Sequence, residues 1–260
     1  MKIAVITQED SFVIPLNIEK IIRHDGVEVP LVAIIDVPGS LVNRKSVFLR
    51  GFGPLQASRM GLRLTWIKAL DLLDRLFGYR LLSKKQSVRA VARSNGIPFL
   101  RIHNPNGPEF LERLRALRID LVVSLSAPCK FDEELLTLPR HGCINLHCSL
   151  LPRYAGLLPS FWVLFHGEKA AGATVHYMAS GIDNGSILGQ TRVPIEPGMS
   201  MFDVIQKTKA AGGDLILTTI QNIQSGNAKA TANDLSARTY FSWPTVEQMK
   251  EFRKRGGRLI

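Results

Sequence analysis

Two hydrophobic patterns alternate along the chain, one typical of buried strands and one of helices. Short apolar runs rich in β-branched residues occur at 2–7, 27–36, 97–101, 120–126 and 142–147. Between them, apolar residues recur at helical spacing, as in 14–24 and 108–117. Near-continuous apolar strands that alternate with helices are typical of a parallel sheet covered on both faces. The pattern therefore predicts an α/β fold with a doubly wound, mostly parallel sheet.

The second half of the chain continues this pattern and then changes character. A helix is predicted from Pro159 to about His166, then strands at 172–178 and 186–194, then a long helix that Ser200 caps and that ends near Ser225. The remaining residues are first polar, then aromatic, then basic. We therefore expect a catalytic domain at 1–225 and a C-terminal extension at 226–260.

A different pattern interrupts the alternation at about 42–95. Apolar residues recur there at helical spacing, with Arg and Lys between them: Leu62, Trp66, Leu70, Leu73 and Phe77. Ser83 is the predicted N-cap of a further helix that ends near Asn95. The segment is therefore predicted to be a basic helical insertion. Its apolar stripe either faces the core or lies on a membrane surface.

The charge of the chain is concentrated in this insertion. The formal net charge is +11, and twelve Lys or Arg stand against two Asp between Arg44 and Arg93. Such a zone attracts an anionic partner: nucleic acid, a lipid surface, or a phosphorylated or polyglutamylated small molecule. The alternative is a solvated helical face without a partner.

Other compositional features restrict the class of protein. No apolar run reaches the length of about 18 residues that a membrane-spanning helix needs, and the apolar start at Met1 is too short for a signal peptide. The three cysteines (Cys129, Cys143 and Cys148) are few and odd in number, which fits free thiols in a reducing compartment. We expect a cytoplasmic protein.

The densest group of reactive side chains lies at 141–152. Alternation places Cys143, Asn145 and His147 on one face of a strand, at the edge where α/β sheets bind ligands. Zinc binding by His141, Cys143, His147 and Cys148 is one interpretation, although the spacing does not resemble paired ligands. Cys148 as a nucleophile beside His147 is a second, but strand neighbours face opposite sides. In the third, Asn145 donates to an oxyanion and His147 moves protons during acyl transfer.

Sequence segments downstream favour the third interpretation. The chain contains Asn145-Leu-His147, Ser149-Leu-Leu-Pro152 and Gly156, then Gly172-Ala-Thr-Val-His176 and Gly181-Ile-Asp183-Asn-Gly185. In this order the segments resemble the folate-dependent formyltransferase family, whose members act on methionyl-tRNA, glycinamide ribonucleotide and nucleotide-linked amino sugars. The resemblance is strong from about 96 to 195. It implies a Rossmann-like formyltransferase core.

The resemblance also implies a reaction and its residues. N10-formyltetrahydrofolate, as co-substrate, would donate its formyl group to a primary amine, with no metal. Asn145 would donate to the oxyanion, and His147 would donate to it as well or shuttle the proton. Asp183 would orient His147, favour its charged form and take up the amine proton; a loop Asp that makes an Asx turn is the structural alternative.

Other site residues follow from the same resemblance. The folate is expected to bind Ser126, Ala127, Pro128 and Lys130 after a central strand, together with Ile182. Ser149, Leu151 and Pro152 would shape the turn after the catalytic strand, and Gly156 lies near the substrate. The chain departs from the family at Cys148, where many members have Pro. It also departs at Ala155, where an Arg often precedes the Gly, and this implies an altered substrate contact.

The acceptor amine is the least constrained feature. After Ile195 only 65 residues remain, which leaves little chain for the tRNA-binding barrel of methionyl-tRNA formyltransferases. Glycinamide ribonucleotide enzymes typically lack the basic insertion. We therefore expect a nucleotide-linked amino sugar, formylated for a surface polysaccharide such as lipopolysaccharide. Tyr240, Phe241 and Trp243 are candidates to stack a base, to form a homodimer contact or to be buried. A catalytically silent module that binds anions or nucleic acid is the alternative from another class.

Overall fold

A seven-stranded sheet forms the centre of the molecule. The computed structural model describes residues 1–36 and 40–260, without the side chains of residues 40–45; the predicted charges of Arg44 and Lys45 therefore lie outside the described side chains. The strands are β1 (Lys2–Thr7), β2 (Glu28–Ile35), β3 (Phe99–Ile102), β4 (Leu121–Leu125), β5 (Cys143–His147), β6 (Ala155–Gly156), β7 (Ala170–Tyr177), β8 (Ile187–Pro194) and β9 (Tyr240–Phe241). The helices are α1 (Ile14–Ile22), α2 (Ser40–Leu76), α3 (Val88–Ser94), α4 (Pro108–Leu117), α5 (Glu133–Thr137), α6 (Pro159–Phe165), α7 (Met201–Gln224) and α8 (Val246–Lys254).

The strand order is β3-β2-β1-β4-β5-β7-β8, and a separate small sheet pairs β6 with β9. The first five strands of the large sheet run parallel, and β7 and β8 are each antiparallel to the neighbour before them in this order. This confirms the predicted doubly wound, mostly parallel sheet. The strand order reverses between β1 and β4, so β5 lies one strand away from the switch point.

The sheet is covered on both faces, as its apolar strands predict. On one face α1, α3 and α7 pack Ile18, Val91 and Ile220 against β1, β4 and β7. On the other face α4 and α5 contribute Phe110, Leu114 and Leu135. Burial of both faces explains why the strand sequences lack a polar alternation.

The C-terminal residues pack back on the molecule through a third apolar cluster. Phe52 of α2, Phe161 of α6 and Met249 and Phe252 of α8 are buried together. Phe241 stacks on Trp162 with ring centroids 4.7 Å apart, and Trp243 contacts Phe48. Phe241 and Trp243 are therefore half-buried against this cluster, whereas Tyr240 is exposed.

The basic insertion is helical, as predicted, but its details differ from the sequence pattern. α2 is broken at Gly53, whose φ of 79° and ψ of 167° are not helical, and Pro54 follows. The next helix is α3, and its N-cap is Ser87, not Ser83. The prediction of Ser83 was wrong because Asp74 accepts the backbone N–H groups of Leu81 and Leu82, which holds this turn outside a helix.

Candidate active site

Asn145 and His147 lie on the same face at the carboxyl end of β5, beside the end of β4. Ser124 of β4 is paired with Asn145 in the sheet, and its buried hydroxyl donates to Asn145 Oδ1 at 2.9 Å. Because a hydroxyl can donate or accept, the assignment of the amide oxygen to this side depends on the contact of the Nδ2 group with His176. The amide is thus held in one orientation by its neighbouring strand.

His176 of β7 stands opposite Asn145 and contacts its Nδ2 group. The distance from Asn145 Nδ2 to His176 Nε2 is 3.2 Å, and His176 Nδ1 lies 2.7 Å from the carbonyl oxygen of Tyr177. A ring that donates from Nδ1 can accept at Nε2, so one amide hydrogen of Asn145 is directed to His176. The second amide hydrogen is left for another acceptor.

His147 is buried and is held by the chain segment that follows β5. Its Nε2 lies 2.9 Å from the carbonyl oxygen of Tyr154. Because a carbonyl oxygen only accepts hydrogen bonds, Nε2 carries a proton and donates it. Its Nδ1 lies 3.5 Å from Asp183 Oδ2. Proton exchange at this ring is therefore directed to Nδ1, on the side of Asp183.

Asp183 completes the group from the loop between β7 and β8. Its Oδ2 accepts the backbone N–H of Gly156 at 2.8 Å, and its Oδ1 lies 3.7 Å from His176 Nε2. Burial alone would raise the pKa of this carboxyl. Charge interactions with His147 and His176 and the hydrogen bond from the Gly156 N–H outweigh it and hold the pKa well below its usual range. Asp183 is thus an ionised acceptor between two imidazoles.

Backbone strain is concentrated around this group. Four of the six described non-glycine residues with positive φ surround it: Ser126 at 59°, Tyr154 at 59°, Leu158 at 53° and Asp183 at 49°. Such conformations are costly for side chains with a Cβ and are frequent at functional sites. At Asp183 and Tyr154 this backbone carries the carboxylate of the one and the carbonyl of the other that face His147.

The predicted turn residues form the segment directly after β5. The buried Ser149 hydroxyl donates to the carbonyl of Arg153 at 2.9 Å. Thr174 of β7 donates to the Ser149 carbonyl and accepts the N–H of Leu151, and the Leu151–Pro152 bond is cis. Ser149 therefore contacts backbone and not the reactive side chains.

Gly156 lies where the small sheet meets the site. Its φ is 98°, and a Cβ built at this position would lie 2.3 Å from the carbonyl oxygen of Phe241 in β9. Only glycine fits here, because β9 is paired directly with β6. The close approach of β9 fixes the N–H that Asp183 accepts.

The residues predicted to contact the folate lie on two loops beside the group. Ser126, Ala127, Pro128 and Lys130 follow β4, with the first three half-buried and Lys130 exposed. Ile182 precedes Asp183, and with three other exposed apolar residues of adjoining segments it forms a rim: Leu157, Ile182, Leu235 and Tyr240. The rim is apolar, although the centre of the site is polar.

Two side-chain oxygens next to the rim have no hydrogen-bond partner among the described residues. They are the buried Oδ1 atoms of Asn184 and Asn233. The Nδ2 group of Asn233 donates to the Asp183 carbonyl at 3.0 Å, so this amide is already oriented. Buried acceptors without donors are costly, and a donor on a bound molecule would satisfy them.

The cysteine interpretations find no support in the geometry. The Cys143 thiol donates to the Leu135 carbonyl, and burial raises its pKa to about 12. Burial also raises the pKa of Cys148, whose thiol contacts Thr208 of α7, across the strand from the His147 side. Among residues 1–36 and 40–260, no three His, Cys, Asp or Glu residues are grouped so that they could hold a metal ion.

Three contacts of the group were not predicted from the sequence: Ser124, His176 and the carbonyl of Tyr154. The signal for His176 was available, because Thr174 and His176 alternate as polar residues in an otherwise apolar strand. The carbonyl of Tyr154 carries no sequence signal, since its position depends on a left-handed backbone.

One further observation concerns membranes: within residues 1–36 and 40–260, no helix combines the length and the apolar composition needed to cross a bilayer.

Comparison with known proteins identifies the family of the chain. The model of the family described as formyl transferase matches residues 73–220. Methionyl-tRNA formyltransferase of Chlamydia pneumoniae is 32% identical over 152 residues, which are 58% of this chain and 47% of that protein. The Bacillus velezensis protein of the same name is 32% identical over 68% of this chain and 56% of its own length. The chain spans about half the length of these curated relatives.

Solved structures show the same fold at lower identity. Glycinamide ribonucleotide transformylase 1 from Symbiobacterium toebii has a TM-score of 0.61 at 21% identity, over 90% of this chain and 94% of that one. The N-formyltransferase from Helicobacter canadensis, in complex with folinic acid and dTDP-3-aminofucose, has a TM-score of 0.61 at 17% identity. That match covers 97% of this chain and 80% of the other.

Proposed function

The chain belongs to the formyl transferase family, and from this membership and the site geometry we propose that it transfers a formyl group from N10-formyltetrahydrofolate to a primary amine. The observation that carries the proposal is the contact network of Asn145, His147 and Asp183 at the end of β5. An oriented amide, an imidazole and an ionised carboxylate are the groups that acyl transfer to an amine requires.

Asn145 acts as the donor to developing negative charge. Its Oδ1 is fixed by Ser124 and one Nδ2 hydrogen is directed to His176. The second hydrogen is therefore available, and already oriented, for the carbonyl oxygen of the formyl group. A donor fixed before the reaction pays no reorganisation cost, which is why such donors contribute about 2.7–4 kcal/mol to transition states.

His147 and Asp183 handle the proton that the amine loses. Because His147 Nε2 donates to the Tyr154 carbonyl, the proton is received at Nδ1, beside the Asp183 carboxylate. The lowered pKa of Asp183 keeps it ionised, so it stabilises the charged imidazole more than it retains a proton itself. For His147 we therefore favour transfer of the proton from the amine to N10 of the leaving tetrahydrofolate over donation to the oxyanion.

The rim and the loop after β4 fit a folate. When bound, N10-formyltetrahydrofolate supplies the activated formyl group. Leu157, Ile182, Leu235 and Tyr240 offer apolar surface to its rings, and the unpartnered oxygens of Asn184 and Asn233 offer acceptors to its N–H groups. Ser126, Ala127, Pro128 and Lys130 hold the other side through their backbone. The folinic acid bound in the Helicobacter canadensis structure supports this proposal.

We propose a nucleotide-linked amino sugar as acceptor. The dTDP-3-aminofucose bound to the Helicobacter canadensis protein supports an amine of this class, and the basic surface suits a diphosphate. A second candidate is methionyl-tRNA, because the curated relatives at 32% identity are methionyl-tRNA formyltransferases. In both cases residues 1–225 form the catalytic domain, and 226–260 are an extension that packs on it.

An acceptor panel tests the function. Purified protein is mixed with N10-formyltetrahydrofolate and, separately, dTDP-linked 3-amino and 4-amino sugars, methionyl-tRNA and glycinamide ribonucleotide, and tetrahydrofolate release is followed. Release only with an amino sugar supports the proposed acceptor. Release only with methionyl-tRNA leaves formyl transfer intact and replaces the acceptor. Absence of release with every amine contradicts formyl transfer and favours a silent binding module.

A further inference from the structure

Exposed apolar side chains are concentrated on the basic insertion. Among the described side chains, nine of the fourteen large hydrophobic residues that are exposed lie between Leu49 and Leu81. A soluble protein rarely leaves so much apolar surface in one stretch unless something binds to it. Most of this stretch precedes the family match, which begins at residue 73.

Five of these residues form one stripe along α2. We call Leu55, Leu62, Trp66, Leu73 and Leu76 the outer stripe; their side chains are between 42% and 74% exposed. Their spacing of seven, four, seven and three residues places them on one side of the helix. Met60, Leu64 and Ile67 are half-buried on the other side, so packing of α2 on the protein does not need the outer stripe.

The exposed charges of α2 and of the turn after it are all positive among the described side chains. Arg59 is exposed beside the outer stripe, Lys68 and Arg75 are exposed at the far edge of the helix, next to its half-buried side, and Arg80 and Lys84 are exposed after it. The two acidic residues of the segment do not offset them at the surface, because Asp71 is half-buried and Asp74 is buried against Lys85. A second copy of this chain would bring like charges together, whereas an anionic surface would complement them.

A cavity at the end of α2 adds phosphate-binding chemistry. It has a volume of about 490 Å³ and is lined by Arg75, Tyr79, Arg89, Arg93, Phe99 and Arg101. Asp36 and Glu9 pair with Arg101, at 3.0 and 3.8 Å. Within the described residues, Arg75, Arg89 and Arg93 form no ion pair, and Arg89 lies over the ring of Phe99 at 5.5 Å. Two guanidinium groups therefore remain for phosphate oxygens, which they bind well.

We propose that the outer stripe and its flanking cations bind the surface of an anionic phospholipid bilayer. The apolar side chains enter the boundary between headgroups and acyl chains. Arg59 then lies at the depth of the phosphates, and the other exposed cations of the segment attract the anionic surface from a greater distance. The helix would lie in the plane of the membrane and would not cross it. Formyl transfer in solution does not depend on this surface, so the two proposals can fail independently.

Vesicle binding of the full chain tests the proposal. Co-sedimentation is compared for vesicles of phosphatidylcholine and of an equal mixture of phosphatidylcholine and phosphatidylglycerol. We expect binding to the anionic vesicles only, weakened by high salt. The double variant Leu73→Glu/Leu76→Glu should bind about tenfold more weakly or worse, since it removes apolar contact and adds repulsion. The matched control is Leu16→Glu, an exposed leucine of α1, which should bind as wild type.

Tryptophan fluorescence identifies the contacting residue. Trp66 is 66% exposed, whereas Trp162 is buried and Trp243 is half-buried. Anionic vesicles should shift the emission to the blue in wild type, and Trp66→Phe should abolish the shift while most co-sedimentation remains. Equal sedimentation with and without anionic vesicles would overturn the proposal. So would a dimer in light scattering that Leu73→Glu/Leu76→Glu dissociates, because the stripe would then belong to a second copy.

Discussion

At the carboxyl end of β5 the polar side chains are buried or half-buried and each has a partner, whereas along the outer stripe of α2 apolar side chains are exposed. Asn145 and His147 are held by Ser124, His176 and the Tyr154 carbonyl. Leu62 and Trp66 contribute little to the core. Changes at the first region should therefore alter the chemistry or the fold, and changes at the second should alter association alone.

The largest expected effect is on turnover at the first region. His147→Ala removes the group that receives the amine proton, and general acid–base catalysis contributes about 10²–10⁴-fold. We expect kcat to fall by that factor, measured as tetrahydrofolate release with the accepted amine. The matched variant Leu62→Gln on the outer stripe should keep kcat within a factor of about two. Comparable losses in the two variants would remove the distinction between the regions.

The next largest effect is expected on stability, at Gly156, where β9 approaches the backbone next to the site. Gly156→Ala would place a Cβ 2.3 Å from the Phe241 carbonyl at a φ of 98°. Positions of this kind cost about 1–3 kcal/mol when a side chain is forced into them. The free energy of unfolding in urea should fall by this amount or more. An unchanged denaturation midpoint would mean that β9 moves aside easily and does not fix the Gly156 N–H that Asp183 accepts.

A substitution on the side of α2 that packs on the protein should alter the fold, as at the active site, whereas substitutions on the outer stripe should not. Asp74 accepts two backbone N–H groups and pairs with Lys85. Burial alone would raise the pKa of Asp74, but these contacts outweigh it and lower the pKa. Its stabilisation is therefore present above the unfolded value of about 3.9 and is lost as pH falls through the folded value.

Asp74→Asn tests the difference between the packed side of α2 and its outer stripe. At neutral pH the variant should lose about 1–3 kcal/mol of unfolding free energy, because a buried contact network is broken. The difference from wild type should shrink when unfolding is measured at a pH well below 3.9. A difference that stays constant with pH would show that the Asp74 charge contributes nothing.

The smallest expected effect is a gain at the exposed side of α2. Gly61 lies inside the helix, and a Cβ there would meet no atom within 4 Å. Gly61→Ala should therefore raise the unfolding free energy by about 0.5–1 kcal/mol, because glycine loses more backbone entropy on folding. Its thermal denaturation would be compared with that of Gly156→Ala. A loss of stability would indicate that this side of the helix is packed against something.

The sequence predicted the sheet because its strands are apolar on both faces, and it predicted Asn145 and His147 because alternation places them together. Asp183 could be predicted only through the resemblance of its loop, since 36 residues separate it from His147. His176 and Ser124 were missed because their role depends on strand pairing that no local pattern shows. The orientation of α2 was left open because an apolar stripe at helical spacing has the same pattern whether it faces the core or solvent.

The most direct test of the account is the turnover of Asn145→Ala. Loss of one oxyanion donor costs about 2.7–4 kcal/mol in the transition state, so kcat should fall by about a hundredfold or more. Folate affinity and the unfolding midpoint should change little, because Ser124 and His176 can rebond to solvent or to each other. Turnover within a few-fold of wild type, with the fold intact, would contradict the role assigned to Asn145 and with it the proposed active site.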